Sequence, residues 1–330
     1  MNELFDYGYD PHFHGLPAEG EIPARVICVR RDLYGVVCAR GEGNARLKSS
    51  AYRAEQNAVY PTIGDFVSLR WNDSGDSIIT RTLPRKSYFA RSDSFSARGE
   101  QAIAANIDYA LLLSSLNRDF NPRRLERYLA QALESGAKPV FVLTKADLCT
   151  EPSDYISQLR VIASDVPVHA VSAHTGFGME ALTPYLSVGT TLVLLGMSGV
   201  GKSSLLNALM GYERMKVNRT RDIDSAKGRH TTTHRELIRL PTGALLIDTP
   251  GMRELGIWDA QDGVTQAFAD IEALAAQCRF SNCTHTREPG CAVQAAVDSG
   301  VLDPKRCKNY LDLLSQAKRT ARIASKRRRR

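Results

Sequence analysis

The sequence predicts a multidomain α/β protein, and three changes of pattern along the chain carry that expectation. Short strand-like runs, broken by Gly, Asn, Asp and Pro, fill residues 22 to about 90. From residue 106, apolar strands alternate with helical stretches, the signature of a parallel sheet covered on both faces. From residue 257 the pattern is helical around a single Cys/His-rich loop. A length of 330 residues suits two or three such units.

Taken in order, residues 1–20 are rich in Gly, Pro, His and aromatic side chains and read as a flexible leader. Residues 21–95 hold five strand-like runs: Ala24–Val29, Leu33–Cys38, Asn44–Lys48, Asp65–Trp71 and Asp76–Arg81. Five strands in so short a stretch suit a small closed barrel of the OB-fold type, although an SH3-like barrel would read much the same. Residues 91–105 are polar and read as a linker. The α/β unit, 96–256, then runs Ile107–Leu113 (strand), Pro122–Gly136 (amphipathic helix) and Pro139–Leu143 (strand). A helix near 153–163, the strand Pro167–Val171, a helix near 178–187 and the strand Thr191–Leu195 follow, with two more strands near 236–240 and 244–248. Residues 257–317 form the helical unit and 318–330 a basic tail. There is no internal repeat.

Hydrophobic residues at 43% and charged residues at 24% exclude global disorder, a collagen and a coiled-coil rod. No apolar run approaches the ~20 residues of a membrane span. The acidic start Met1–Asp6 lacks a signal-peptide core, so a cytoplasmic protein with no membrane partner is expected. The net charge of +7 is a property of the tail: residues 318–330 carry eight basic residues and no acidic ones, and without them the chain would stand at −1. Such a tail is expected to stay disordered until it meets a polyanion.

Gly196-Met197-Ser198-Gly199-Val200-Gly201-Lys202-Ser203 follows an apolar strand and precedes the helical run from Ser204, the setting a phosphate-binding loop requires. Its glycines let backbone N–H groups close around phosphate oxygens, and the helix N-terminus adds its dipole. Lys202 is expected at the β- and γ-phosphates and Ser203 at Mg²⁺. Thr144-Lys145-Ala146-Asp147 ends another strand and resembles the guanine-recognition motif [NT]-K-x-D. A carboxylate at Asp147 accepts from N1–H and N2–H₂ of guanine; against adenine it would be left unpaired. Ser172-Ala173-His174, again just past a strand, resembles the second base-contacting loop.

Asp248-Thr249-Pro250-Gly251 resembles the D-x-x-G switch, whose aspartate holds Mg²⁺ through water and whose glycine N–H senses the γ-phosphate. In Gly228-Arg229-His230-Thr231-Thr232-Thr233 one threonine is expected to complete the Mg²⁺ shell, and sequence does not choose between Thr232 and Thr233. A threonine-rich strand is the plainer alternative. Met252 stands where many GTPases place a water-orienting glutamine, so unassisted hydrolysis is expected to be slow and stimulated by a partner. His230 either positions the water or is a switch-loop residue that only packs or contacts RNA.

A conventional GTPase runs phosphate loop, switch threonine, D-x-x-G, N-K-x-D, S-A. Here the base loops at 144 and 172 precede the phosphate loop at 196 and the switch at 248. The same sheet results if the chain is opened elsewhere and its former ends are joined. The D-x-x-G segment then leads directly into the C-terminal unit.

Cys278-x₄-Cys283-x-His285-x₅-Cys291 supplies three thiolates and one imidazole, a set suited to tetrahedral structural Zn²⁺. Cys307 is a possible further candidate, while Cys28, Cys38 and Cys149 sit in apolar runs and read as packed thiols. Seven cysteines, an odd number in a chain of this size, argue against a disulfide framework.

Together, the strand-rich N-terminus, T-K-A-D, S-A-H, G-M-S-G-V-G-K-S, G-R-H-T-T-T, D-T-P-G and the C-x₄-C-x-H-x₅-C loop closely resemble the circularly permuted ribosome small subunit-dependent GTPase A family of bacteria (RsgA, also YjeQ), over roughly residues 20 to 315. The resemblance implies an OB-fold, a permuted GTPase domain and a zinc-finger domain. It also implies contact with the 30S subunit and its 16S rRNA, a late role in 30S maturation, and GTP hydrolysis to GDP stimulated by that subunit. It carries nucleotide contacts to Thr144–Asp147 and Gly196–Ser204, and zinc ligands to Cys278, Cys283, His285 and Cys291. A monomer is expected. The arginine run at the C-terminus is not part of the family's motifs. Two competing readings are an RNA-binding scaffold that binds nucleotide without turnover, and an ATP-using RNA remodeller, against which Asp147 argues.

Overall fold

The structure is a computed structural model that describes residues 2–30, 33–48, 50, 52, 59–92, 100–117, 120–212, 235–248 and 261–328. His230, Thr232, Thr233, Gly251 and Met252 lie outside the described residues.

Two short helices, α1 (Asn2–Phe5) and α2 (Pro11–His14), precede the strands β1 (Ile22–Arg30), β2 (Leu33–Cys38), β3 (Gly41–Leu47), β4 (Phe66–Arg70) and β5 (Ser77–Thr82). β1 pairs antiparallel with β2 and β2 with β3; β3 pairs parallel with β5; β5 pairs antiparallel with β4, and β4 returns to β1. The ring is closed in the strand order of an OB-fold, which sequence periodicity could not separate from an SH3-like barrel. Ala24, Val26, Val36, Cys38, Val67, Leu69 and Ile79 fill its interior without solvent exposure.

The expected flexible leader is a packed segment. Leu4, Tyr9 and His14 are buried against Val37, Phe66 and Leu83. The glycines and prolines that suggested flexibility provide tight turns, and Gly8 at φ +79° brings the chain so close to Gly189 that a Cβ would lie 2.6 Å from its carbonyl oxygen. Between these turns the apolar rings gain more from burial than the segment loses in freedom.

The described parts of the expected linker, 91–92 and 100–105, lie in strands. β6 (Tyr88–Ser92) and β7 (Glu100–Ala105) form an antiparallel pair, and Ile103, Ala104 and Ala105 are fully buried. Ile103 is the one large apolar side chain of β7, set among alanines after Glu100-Gln101, so the segment read as polar.

The α/β unit consists of β8 (Tyr109–Ser115), α3 (Pro122–Ser135), β9 (Lys138–Thr144), α4 (Pro152–Ile162), β10 (Val168–Ala170), β11 (Thr191–Leu195), α5 (Lys202–Met210), β12 (Arg235–Arg239) and β13 (Leu245–Asp248). α3 opens with an Asn121 side chain accepting from the Arg124 N–H at 3.2 Å and Pro122 in the first turn, and closes on left-handed Gly136. The expected helix near 178–187 is a 3₁₀ segment, Met179–Tyr185, with Pro184 inside it breaking the i→i−4 ladder. The strand order is β10-β9-β8-β11-β13-β12, parallel except for β12.

This sheet continues into the barrel: β12 pairs with β1 through Cys28↔Glu236 and Val29↔Arg235. A bulge between Val26 and Cys28 divides β1 into a barrel half and a half that reaches β12.

The C-terminal helices are α6 (Gln261–Ala267), α7 (Ala269–Ala275), α8 (Ala292–Asp298) and α9 (Pro304–Arg328). α6 crosses α3 at Gly263, where a Cβ would lie 2.1 Å from the Ala130 carbonyl oxygen, and the Gly263 N–H donates to Glu134 at 2.7 Å. Arg306 of α9 bonds Asp270 at 2.7 and 2.9 Å and also pairs with Glu126 of α3. Burial raises the Glu126 carboxyl above its ordinary range, with the Arg306 guanidinium opposing. The tail expected to be disordered continues α9 to Arg328, because no Gly or Pro interrupts the run of good helix formers after Pro304. Among the described residues no helix is long and apolar enough to cross a membrane.

Candidate functional site

The chemistry-bearing loops emerge along one edge of the parallel sheet. Ser172 follows β10, Thr144 ends β9, Gly196 follows β11 and Asp248 ends β13. The register aligns them: Ser115 of β8 faces Thr144, Leu112 faces Leu195, and Val193 faces Ile247. This is the carboxyl edge of neighbouring strands, where open α/β sheets bind ligands. Loops separated by up to about a hundred residues in sequence thus stand side by side.

The phosphate loop is shaped by its glycines. A Cβ on Gly196 would lie 2.9 Å from Val200 Cγ1 and 3.1 Å from Leu113, while Gly199 and Gly201 hold φ of +80° and +105°. Lys202 folds back over the loop, its Nζ donating to the carbonyls of Gly196 and Met197. Ser203 and Ser204 lie half-buried in the first turn of α5.

The base loop closes on the phosphate loop. Thr144 Oγ1 lies 2.5 Å from the Val200 carbonyl oxygen, and Lys145 Nζ donates to the Gly199 carbonyl at 2.8 Å. The threonine standing where many GTPases carry asparagine therefore still ties the two loops together. Lys145 takes a left-handed φ of +59°, rare outside glycine, and the Ala146 N–H is fixed to the Val171 carbonyl at 3.1 Å. Asp147 is exposed, and its Oδ1 accepts from Ser172 Oγ at 2.6 Å. Ser172 Oγ in turn accepts from the N–H groups of His174 and Thr175 at 3.3 and 3.2 Å. Sequence reasoning assigned this loop a backbone contact to the base; the structure adds a side chain that orients the aspartate. Ala173 follows, half-buried.

Beside the phosphate loop a cavity of about 80 Å³ separates Met197 and Ser198 from Asn121, Arg124 and Tyr128 on the first turns of α3. Sequence reasoning did not nominate these α3 residues, and no local pattern marks them, because they meet the loop only through strand order.

The second centre lies on the loop between α7 and α8. The ligand atoms of Cys278, Cys283, His285 and Cys291 all fall within 4.8 Å of one another. Cys278 Sγ lies 3.5 Å from His285 Nδ1 and 3.9 Å from Cys291 Sγ, and Cys291 Sγ lies 3.6 Å from the same nitrogen. A tetrahedral zinc has edges of about 3.8 Å between sulfurs and about 3.6 Å between sulfur and nitrogen. The cluster therefore fits structural zinc, and it holds no carboxylate and leaves no open position. Burial pushes the Cys283 thiol up to about 11, with Cys291 and Cys278 adding to the effect. For Cys278 burial also acts upward, but the N–H groups of Val293 and Ala292 together with hydrogen bonds from Cys291 and Cys283 outweigh it and hold this thiol below its ordinary range. Three thiolates so close together call for a cation. The loop is held by left-handed Gly290 and His285, and by Gln294 Nε2 donating to the His285 carbonyl at 2.6 Å. Cys307 is buried but lies outside the ligand group. Cys38 packs in the barrel core, and none of the seven cysteines forms a disulfide.

A sequence profile of the family described as RsgA GTPase matches residues 82–258. The chain is 48% identical to "Small ribosomal subunit biogenesis GTPase RsgA 1" of Listeria monocytogenes, over 88% of this chain and 82% of the relative. The crystal structure of YjeQ from Thermotoga maritima superposes with a TM-score of 0.67 at 27% identity, covering 90% of this chain and 98% of that one. YloQ, described as a circularly permuted GTPase, superposes with a TM-score of 0.63 at 23% identity over 94% and 98% of the two chains, a likeness of fold. With the guanine-type loop preceding the phosphate loop in sequence yet bonded to it in space, the chain belongs to the RsgA GTPase family and is a GTP hydrolase of permuted topology.

Proposed function

We propose that this protein is a GTPase of small ribosomal subunit biogenesis, the role for which its Listeria relative is named. It binds the 30S subunit and its 16S rRNA, assists late maturation, and hydrolyses GTP slowly alone and faster when bound to the subunit. The observation that carries the reading is the closure of the base loop on the phosphate loop through Lys145 and Gly199, which makes one pocket of two motifs.

In this pocket Thr144–Asp147, with Ser172 and Ala173, holds guanine, and Gly196–Ser204 holds the phosphates. Lys202 leaves the loop carbonyls for the β- and γ-phosphates, and the Gly251 N–H senses the latter. Magnesium held by Ser203, Asp248 and Thr232 or Thr233 would neutralise charge on the phosphate oxygens. His230 is the candidate for positioning the attacking water, a task Met252 lacks the polar group to perform. One structural zinc per chain sits on Cys278, Cys283, His285 and Cys291.

We assign residues 21–95 to the rRNA-facing barrel, 96–256 to the GTPase domain and 257–317 to the zinc module, in a cytoplasmic monomer. A suitable RNA surface lies beside the barrel: Tyr60 and Tyr88 are exposed at 56% and 39%, and Arg85, ion-paired with Asp65, lies over the Tyr88 ring at 5.6 Å.

The test is GTP turnover titrated with 30S subunits, 50S subunits and bare rRNA. Stimulation by 30S alone is the expected result. No stimulation by any of them would favour a scaffold that binds nucleotide without cycling. Unchanged 30S-stimulated turnover in His230→Ala would remove that histidine from the mechanism.

A further inference from the structure

The basic run at the C-terminus takes no part in the phosphate, base or metal chemistry. It belongs to α9, a single helix of 25 residues, about 37 Å long at 1.5 Å per residue.

The first half of α9 is anchored. Arg306, Tyr310, Leu313 and Ala317 are buried and recur at helical spacing along one face. Arg306 grips Asp270 and Glu126, and the Tyr310 hydroxyl donates to Glu272 at 2.8 Å. Beyond Ala317 the same helical spacing in the sequence falls on Ala321, Ala324 and Arg328, with no large apolar residue.

The second half changes character. Lys318 and Arg319 are exposed, and the sequence continues with Arg322, Lys326, Arg327 and Arg328 before Arg329 and Arg330 end it. The last acidic residue is Asp312, so no carboxylate lies one turn away from any of these cations. Lys318, Arg322 and Lys326 recur at i, i+4, where like charges oppose one another and weaken a helix by a few tenths of a kcal/mol per pair. An extended polyanion relieves that repulsion.

We propose that residues 318–328 form a phosphate-binding arm that lies along the backbone of structured RNA, a third contact beside the barrel and the zinc module; the inference rests on the proposed RNA partner. The arm places six cations along about 16 Å, a charge spacing comparable with that of the phosphates of a duplex. It carries one bulky apolar side chain, Ile323, and so lacks the apolar face with which an interfacial helix enters a lipid surface. The deep, narrow major groove of A-form RNA hides its base edges, so the arm adds affinity without sequence selection. Its anchored base orients the arm in advance, which reduces the ordering entropy lost on binding.

The experiment uses two full-length variants, K318Q/R319Q/R322Q/K326Q and R327Q/R328Q/R329Q/R330Q; glutamine preserves helix propensity. Binding to 30S subunits, to an RNA hairpin with a long stem, and to phosphatidylserine-containing vesicles is measured across a range of potassium chloride. The slope of log affinity against log salt is expected to flatten by about 0.9 for each phosphate that the variant no longer neutralises, with 30S and hairpin affinity falling at least tenfold at low salt. GTP affinity and basal turnover are expected to be unchanged. Slopes unaltered in both variants overturn the arm, and arm-dependent binding to vesicles in preference to the hairpin overturns RNA as its partner. If the unmodified protein binds the hairpin with an arm-dependent slope but neither binds nor responds to 30S, the proposed function fails and the arm stands.

Discussion

Lys145 Nζ donates to the Gly199 carbonyl oxygen at 2.8 Å, so the loop that ends β9 is closed onto the loop that follows β11. β8 lies between these strands, and fifty-four residues separate the two positions in sequence. Permuting the chain changed the order in which the loops are made without separating them, because strand order, not chain order, decides which loops meet at the carboxyl edge.

The same closure sets the position of Asp147, whose Oδ1 is fixed by Ser172. In Asp147→Asn the side-chain amide replaces a carboxylate oxygen with a donor that faces the N–H groups of guanine. GTP affinity is expected to fall by about a hundredfold or more, while xanthosine triphosphate, which carries a carbonyl at C2, is expected to gain. Competition against a fluorescent nucleotide measures both, and retained preference for GTP would displace Asp147 from the base site.

Arg25 holds the barrel to the GTPase sheet. It is fully buried, donates to the Gly64 carbonyl at 3.2 Å, the Asn106 carbonyl at 3.1 Å and Thr191 Oγ1 at 2.9 Å, bonds the Tyr7 carbonyl, and lies over the Phe66 ring at 4.8 Å. Burial draws its pKa down to about 10, against the pull of Asp108 and Asp65, so the group remains charged at neutral pH. Arg25→Met fills the volume but leaves several acceptors unpaired, and is expected to cost about 3 kcal/mol in denaturant unfolding. Arg25→Lys is expected to rescue little, since one ammonium cannot span acceptors arranged around a planar guanidinium.

What the sequence made legible is what local pattern encodes. The strands of the parallel sheet are buried on both faces and so read as apolar runs; Thr191–Leu195 matches residue for residue. The phosphate loop needs its strand–turn–helix setting, and the four metal ligands lie within fourteen residues. What escaped depends on distant partners. Tyr9 and His14 look like loop residues until Phe66 packs on them, and β7, Glu100–Ala105, opens on Glu-Gln and carries alanines beside its one large apolar residue, Ile103. The β1–β12 pairing joins Cys28 to Glu236, and the Arg25 knot reaches Thr191 across 166 residues, so no window of sequence contains either.

Cys291 combines two tasks, contributing a ligand atom and capping α8 by accepting from the Gln294 N–H at 3.4 Å. In Cys291→Ser the purified protein is expected to lose its bound zinc, measured by elemental analysis, and residues 278–298 are expected to lose hydrogen-exchange protection. GTP affinity should persist, because the base and phosphate loops belong to other elements. Cys307→Ser is the control: that thiol lies outside the ligand group, and its loss should leave the metal in place.

His14 gives the docked N-terminal segment a dependence on pH. Its ring stacks on Tyr9 at 5.7 Å and packs on Phe66 at 4.3 Å, with Nε2 buried. Burial lowers its pKa below 6.5; Lys86 and Arg25 push the same way, and the Asp10 carbonyl and the Asn106 side chain oppose them. An unfolded His14 takes up a proton near pH 6.5 while the packed ring stays neutral further down. Between those two values the unfolded chain holds more protons, so stability rises with pH and is lost as pH falls below about 6.5, by at most about 1.4 kcal/mol per pH unit. Hydrogen exchange of residues 2–20 is therefore expected to accelerate between pH 7 and pH 5.5 beyond the intrinsic change in chemistry. His14→Phe keeps the aromatic packing and cannot titrate, so in that variant the excess should vanish; if it persists, another group governs the docking.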